Sequence, residues 1–155
     1  IQCYLGCKNN QGPVALSDYM TYTITNRFMQ YAKYRLGLNA GIGGTGYACG
    51  ALTGGVMAIS CFVGREFENL PDPEGVRFTT FKLSRKLARR FEEEYGENGG
   101  DCSAVQTKLM GRSYDILNGE RDEFIANGGH STVCPVVCGK AAMWVIDILA
   151  EEGLI

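Results

Sequence analysis

The chain has 155 residues, 45% hydrophobic and 21% charged, enough to bury one ordinary core without disulfide staples. Its formal net charge of -2, from 15 basic and 17 acidic side chains, removes any electrostatic reason to expect nucleic acid. The outlying feature is the count of 7 cysteines, which being odd cannot be fully paired within one chain. That leaves a secreted protein with a spare thiol, or an intracellular one that uses thiolates as ligands or redox groups. Nothing at the N-terminus reads as a secretory signal, although the chain opens on Ile1 rather than Met, and the cytoplasm is the expected location. A single domain over residues 1–155 is expected.

Cys3 and Cys7 come first, followed by the turn residues Asn9, Asn10, Gln11, Gly12 and Pro13. Ser17 then caps a predicted helix whose apolar positions Met20, Ile24, Phe28, Tyr31 and Leu36 recur at helical spacing, ending near Gly37. Residues 36–64 contain no charged side chain, the mark of an element buried on all sides. Within them Gly41 to Gly46 reads as a loop and Tyr47 to about Val63 as a second helix. Gly50, Gly54 and Gly55 each lower its intrinsic propensity by ~1 kcal/mol relative to Ala, so packing must hold it. If a neighbour lies against Gly54, Gly54→Leu should cost ~1–3 kcal/mol through overpacking. The segment reaches the lower limit of a membrane span, but Thr53, Ser60 and the interior glycines, with no second apolar stretch of that length, favour a core helix and no membrane.

A proline-bearing loop, Glu66 to Gly75, leads to a third predicted helix from about Phe78 to Tyr95, with the stripe Phe81, Leu83, Leu87, Phe91 and Tyr95. Its basic residues Lys82, Arg85, Lys86, Arg89 and Arg90 are followed by Glu92, Glu93 and Glu94 and read as a solvated face. Asp101 caps a short fourth helix, Cys102 to Met110, and a helical turn is expected around Glu120 to Ala126. The last helix should run from Thr132 or Cys134 to about Glu152, with Val137, Ala141, Val145, Ile148 and Leu149 inward and Trp144 beside them. The expected fold is all-α, a bundle of four to five helices around the buried glycine-rich one.

Gly41, Gly43 and Gly46 spell GxGxxG, with Glu66 where a ribose-binding acid would stand, but no β-strand pattern precedes them and the nucleotide reading is set aside. Cys134 and Cys138 share one face at a helix start, where the helix dipole favours a thiolate. With a single histidine, His130, any metal site must be mostly thiolate, which favours iron-sulfur or zinc over copper or haem iron. His130 alone supports no catalytic triad.

The loop Gly41 to Gly46 running into Cys49-Gly50-Ala51-Leu52-Thr53-Gly54-Gly55, then Phe91 to Gly96 leading to Cys102, then Cys134-Pro135 opening the last helix, resembles the C_GCAxxG_C_C family over about residues 36 to 152. That resemblance implies a redox-active protein; a related helical domain in a split-Soret cytochrome binds an iron-sulfur cluster beside haems. It carries Cys49, Cys102 and Cys134 over to this chain, with Cys3 or Cys7 for the family's first cysteine. No haem is implied, because C-x-x-C-H does not occur here.

The expectation is therefore an iron-sulfur protein that passes electrons to a redox partner protein. Its thiolate ligands would be Cys49, Cys102, Cys134 and, one helical turn on, Cys138, with Cys3, Cys7 or His130 as alternatives for the fourth. Gly50 and Gly54 would admit the cluster close to backbone N–H groups. The rivals are a thiol-disulfide oxidoreductase using Cys134 with Cys138 or Cys49, and a binding module stabilised by zinc. Whether the protein is an enzyme, and whether a homodimer shares the site, the residues leave open.

Overall fold

The structure, a computed structural model, describes residues 36–155; the predicted helix opened by Ser17 and the cysteines Cys3 and Cys7 lie outside them. Of the described residues 68% are helical and none forms a strand, so the fold is all-α as expected. Five helices carry it: α1 Gly50–Val63, α2 Val76–Tyr95, α3 Cys102–Met110, α4 Arg121–Ala126 and α5 Cys134–Glu151. A turn of π-helix, Gly129–Val133, runs directly into α5.

α1 packs against both α2 and α5, and those two pack on each other. Their shared core contains Ile59, Leu83, Leu87, Phe91, Ile148 and Leu149, all fully buried. Burial of such side chains is worth about 1.5–3 kcal/mol each relative to exposure. α2 and α5 both come close to α1 at Gly55, where a Cβ would stand 2.6 Å from Leu87 Cδ2 and 3.2 Å from Val145 Cγ2. The buried positions of α5 are Val137, Ala141, Val145, Ile148 and Leu149, as its periodicity predicts. On α2 the stripe is Leu83, Leu87, Phe91 and Tyr95, but Phe81 is 59% exposed and does not belong to it. Two residues from Leu83 is roughly 200° of helix rotation, which puts Phe81 on the opposite face.

The basic face of α2 is answered mainly from α5 and the residue after it, rather than by the acids that follow it in sequence. Lys82 and Lys86 pair with Glu152 at 3.0 and 2.8 Å, and Arg90 pairs with Glu151 at 2.5 Å and Asp147 at 3.3 Å. Lys140 reaches back to Glu94. Such exposed pairs are individually weak, but a ladder of them fixes the antiparallel register of α2 on α5. The helix long and apolar enough to cross a membrane, by length and composition, is not α1, which is too short, but Gly129–Glu151 among the described residues, with a mean hydropathy of 1.8. Its interior charges, Lys140 and Asp147, are few enough to pass, and both are paired with α2 in the fold.

α2 starts where it does because Asp72, 3% exposed, presents its carboxylate to the first turn. The N–H groups of Val76 and Arg77 donate to it at 2.7 and 3.2 Å, and the Arg77 guanidinium at 3.0 Å. Burial alone would raise this carboxyl, but the N–H bonds and the guanidinium together outweigh it and hold it below the usual range. Its stabilising effect is therefore present above the ordinary carboxylate pKa and is lost as pH falls through the depressed one. Thermal unfolding followed from neutral to acid pH should show Asp72→Asn melting below wild type at neutral pH, with the gap closing in acid.

Two helix starts that share a pair of thiols

The approach to α1 is built from an unusual backbone. Ala40, Gly41, Ile42, Gly43 and Gly44 all have positive φ, between 53° and 90°, and Gly46 follows at 80°. For Ala40 and Ile42 this conformation costs about 1–2 kcal/mol each. At Gly41 only glycine fits, because a Cβ would lie 2.6 Å from the carbonyl carbon of Gly46. The turn closes through Tyr47 N–H donating to the Gly41 carbonyl at 3.2 Å, while the Thr45 hydroxyl donates to the same oxygen.

Having reversed, the chain runs alongside the start of α3. Cys49 N–H donates to Gly100 O, and Cys102 N–H donates to Tyr47 O, both at 2.7 Å; Ser103 N–H reaches Gly46 O at 2.9 Å. These bonds form an isolated antiparallel bridge between Ala48 and Asp101. Cys49 and Cys102 each follow a bridged residue, and each is held by a backbone bond to the other segment. Cys49 is thus the residue preceding α1 and Cys102 the first residue of α3, and the backbone holds these two helix starts together.

Both thiols are buried, each 8% exposed. Burial raises the Cys49 pKa, partly offset by hydrogen bonds from the N–H groups of Ala51 and Leu52 at the start of α1. Burial pushes the Cys102 thiol up as well, and the nearby Cys49 adds to it, to about 11 despite a hydrogen bond from Gln106. That bond runs from Gln106 Nε2 to Cys102 Sγ at 3.3 Å, while Gln106 Oε1 accepts the Tyr114 N–H at 2.8 Å. The Tyr114 N–H needs an oxygen acceptor, which orients the amide and turns its NH2 towards sulfur. Left without metal, the pair is therefore a neutral dithiol at neutral pH, with hydrogen-bond donors already directed at both sulfurs.

Tyr95, the last residue of α2, closes the other side. It is 4% exposed, and its ring lies 5.5 Å from Phe91 and 6.4 Å from Trp144. Its hydroxyl is buried and has no hydrogen-bond partner among the described residues. Burial first, then Glu94 and the Cys49 and Cys138 thiols, push it up to about 12. An unmade buried hydrogen bond of this kind costs about 1–3 kcal/mol.

Cys134 opens α5, half-buried, with Pro135 beside it, and Cys138 one turn on is exposed but within electrostatic reach of Tyr95. Among the described residues no three of Cys, His, Asp and Glu stand close enough together to hold a metal ion, so Cys49 and Cys102 are neighbours without a third ligand already in place. His130 is exposed in the π turn, its ring edge-on to Phe124 at 5.1 Å. Gly50 is approached by Leu38 O and Asn39 Oδ1, each 3.4 Å from where a Cβ would be, and Gly54 is buried. Cys61 lies near the far end of α1. Gln106 and Tyr95 were not singled out from the sequence; the i, i+4 spacing of Gln106 from Cys102 was the available signal.

A family model described as "Putative redox-active protein (C_GCAxxG_C_C)" matches residues 5–148. The chain belongs to this family. No curated protein and no solved structure matches it. The match includes Cys7 and leaves out Cys3. The family gives the chain a redox role in general terms.

Proposed function

We propose that this C_GCAxxG_C_C protein carries electrons through an iron-sulfur cluster. The ligands would be the thiolates of Cys49 and Cys102, completed by Cys134 and Cys138 from α5 or by Cys7. The carrying observation is the buried pair at two joined helix starts, with the N–H groups of Ala51 and Leu52 and the Gln106 amide directed at sulfur. The donor type suits the group, while further ligands have still to be brought to the pair. The donors are all sulfur, they can be deprotonated by a metal, and N–H bonds to ligating sulfurs tune reduction potential. Such a cluster, when bound, supplies one-electron exchange with a redox partner protein.

Around it, the chain's own residues do three things. The bridge between Ala48 and Asp101 fixes Cys49 relative to Cys102, the core that includes Leu87 and Phe91 keeps water from the Cys49 sulfur, and the start of α5 would supply further ligands. Burial of Cys49 and Cys102 argues against exchange with a partner at that pair, because exchanging cysteines are accessible and have lowered pKa values.

A second reading keeps one specific support, that Cys49 and Cys102 are neighbours with free thiols. In it they lose two electrons and two protons to form a disulfide while a partner's disulfide is reduced to two thiols. Anaerobic purification followed by iron, zinc and acid-labile sulfide analysis separates the readings. The cluster reading expects a brown protein with iron and sulfide. Metal-free protein whose free-thiol titre falls by two on oxidation would replace it with the disulfide reading, and zinc without sulfide with a structural site.

A further inference from the structure

α5 carries more apolar surface than its described neighbours cover. Its charged side chains, Lys140, Asp147 and Glu151, all pair with α2. In the other sense around the helix, roughly 100–200° from Ala141, stand Ala142, Met143 and Ile146, with no charge among them. Ala142 and Ile146 are half-buried and Met143 is 63% exposed. Val145, which meets α1 at Gly55, is displaced from Ala141 in that same sense, so this second face adjoins α1. On α1, which has no charged residue, Thr53, Met57 and Ser60 lie roughly 140–200° round from Gly55 and are half-buried. Their hydroxyls need no water: Thr53 Oγ1 donates to Cys49 O at 3.3 Å and Ser60 Oγ to Val56 O at 2.9 Å. Two uncharged faces thus adjoin along one groove, and α2, the only long helix among the described residues that packs on both α1 and α5, lies on their other side.

We propose that this groove is the docking site of the chain's own residues 17–35, which close the bundle as a fourth long helix running antiparallel to α1. The described chain begins at the turn Leu36–Leu38, and Leu38 O stands 3.4 Å from where a Cβ of Gly50 would be, so the preceding segment is delivered to the end of the groove at the start of α1. Its apolar positions Met20, Ile24, Phe28 and Tyr31 recur at helical spacing and supply the stripe that the groove accepts. A helix over those residues is about 28 Å long and the 14 residues of α1 about 21 Å, so it covers the groove from end to end. The family match, residues 5–148, spans segment and groove together. Tethered at Leu36, the segment has an effective concentration at the groove on the order of millimolar, which a second copy or a lipid surface must outcompete. The proposal does not depend on any metal at the cysteines.

Amide hydrogen exchange on the full chain, read peptide by peptide at two protein concentrations about a hundredfold apart, tests it. Residues 17–35 should exchange at least about a hundredfold more slowly than an unstructured chain at both concentrations. Ile146→Asp in the groove and Phe28→Asp in the segment should each speed that exchange about tenfold or more while the amides of α2 around Leu87 stay protected. Phe81→Asp, at an exposed apolar position on the outward face of α2, should change neither. Unprotected residues 17–35 overturn the proposal, and so does a protected segment indifferent to Ile146→Asp, which docks elsewhere. Should Ile146→Asp release α2 as well, Phe28→Asp decides alone, and unchanged exchange in that variant overturns the proposal. Protection lost on dilution together with a halved mass gives the groove to a second copy, and protection of α5 that arises only with phospholipid vesicles gives it to lipid; either overturns the proposal.

Discussion

Cys49→Ser and Cys102→Ser should each lose most of the iron from protein made without oxygen, and Cys134→Ser should do the same. Serine keeps the shape but replaces a soft thiolate by an oxygen that iron-sulfur clusters accept poorly. The loss should be largest for Cys49 and Cys102, because the backbone bonds Cys49 N–H to Gly100 O and Cys102 N–H to Tyr47 O leave their positions no freedom to be replaced. Cys61→Ser should keep its iron: it lies on α1 about 18 Å along the helix axis from Cys49. Iron per chain, measured on the four variants side by side, checks this. Bleaching in Cys61→Ser with Cys102→Ser intact would mean that the site has been misplaced even if a cluster is present.

The largest stability effect is expected at Gly55. Gly55→Leu should cost about 3 kcal/mol, because even its Cβ would be 2.6 Å from Leu87 Cδ2, and Leu87 is fully buried and cannot swing aside. The gain in helix propensity, about 1 kcal/mol, does not offset this. Gly139 provides the opposite case on α5: a Cβ there meets nothing within 4 Å, so Gly139→Ala should stabilise by about that propensity gain. Denaturant unfolding of the two variants should therefore move in opposite directions, and stabilisation of Gly55→Leu would contradict the three-helix crossing.

The helices were legible because their signals are local. Asp101 before Cys102 and Gly111 after Met110 gave α3 its observed bounds, and Gly96 and Gly111 stop α2 and α3 with φ of 91° and 83°. The reversal before α1 was not legible, since Ala40 and Ile42 take left-handed conformations against their own preference. It also displaced the start of α1 from Tyr47 to Gly50: Tyr47 and Cys49 are spent on the bridge to the α3 start. A close approach falls at Gly55, where α2 and α5 meet α1, and the sequence did not single that glycine out as the contact.

At the site, the presence of thiols at helix starts could be read from Cys49, Cys102 and Cys134, but the adjacency of the first two depends on backbone bonds between distant segments. Tyr95 was placed correctly on the apolar stripe, yet the stripe pattern says nothing about its hydroxyl. What α5 contributes rests on chemistry rather than on an assembled ligand set.

The central claim is that Cys49 and Cys102 together bind iron through sulfur. X-ray absorption at the iron edge of the anaerobically purified wild type tests it most directly. The account predicts a first shell made of sulfur, with iron–iron scattering behind it, both absent from Cys49→Ser and Cys102→Ser. A first shell of nitrogen and oxygen, or a sulfur shell unchanged in both variants, would contradict it.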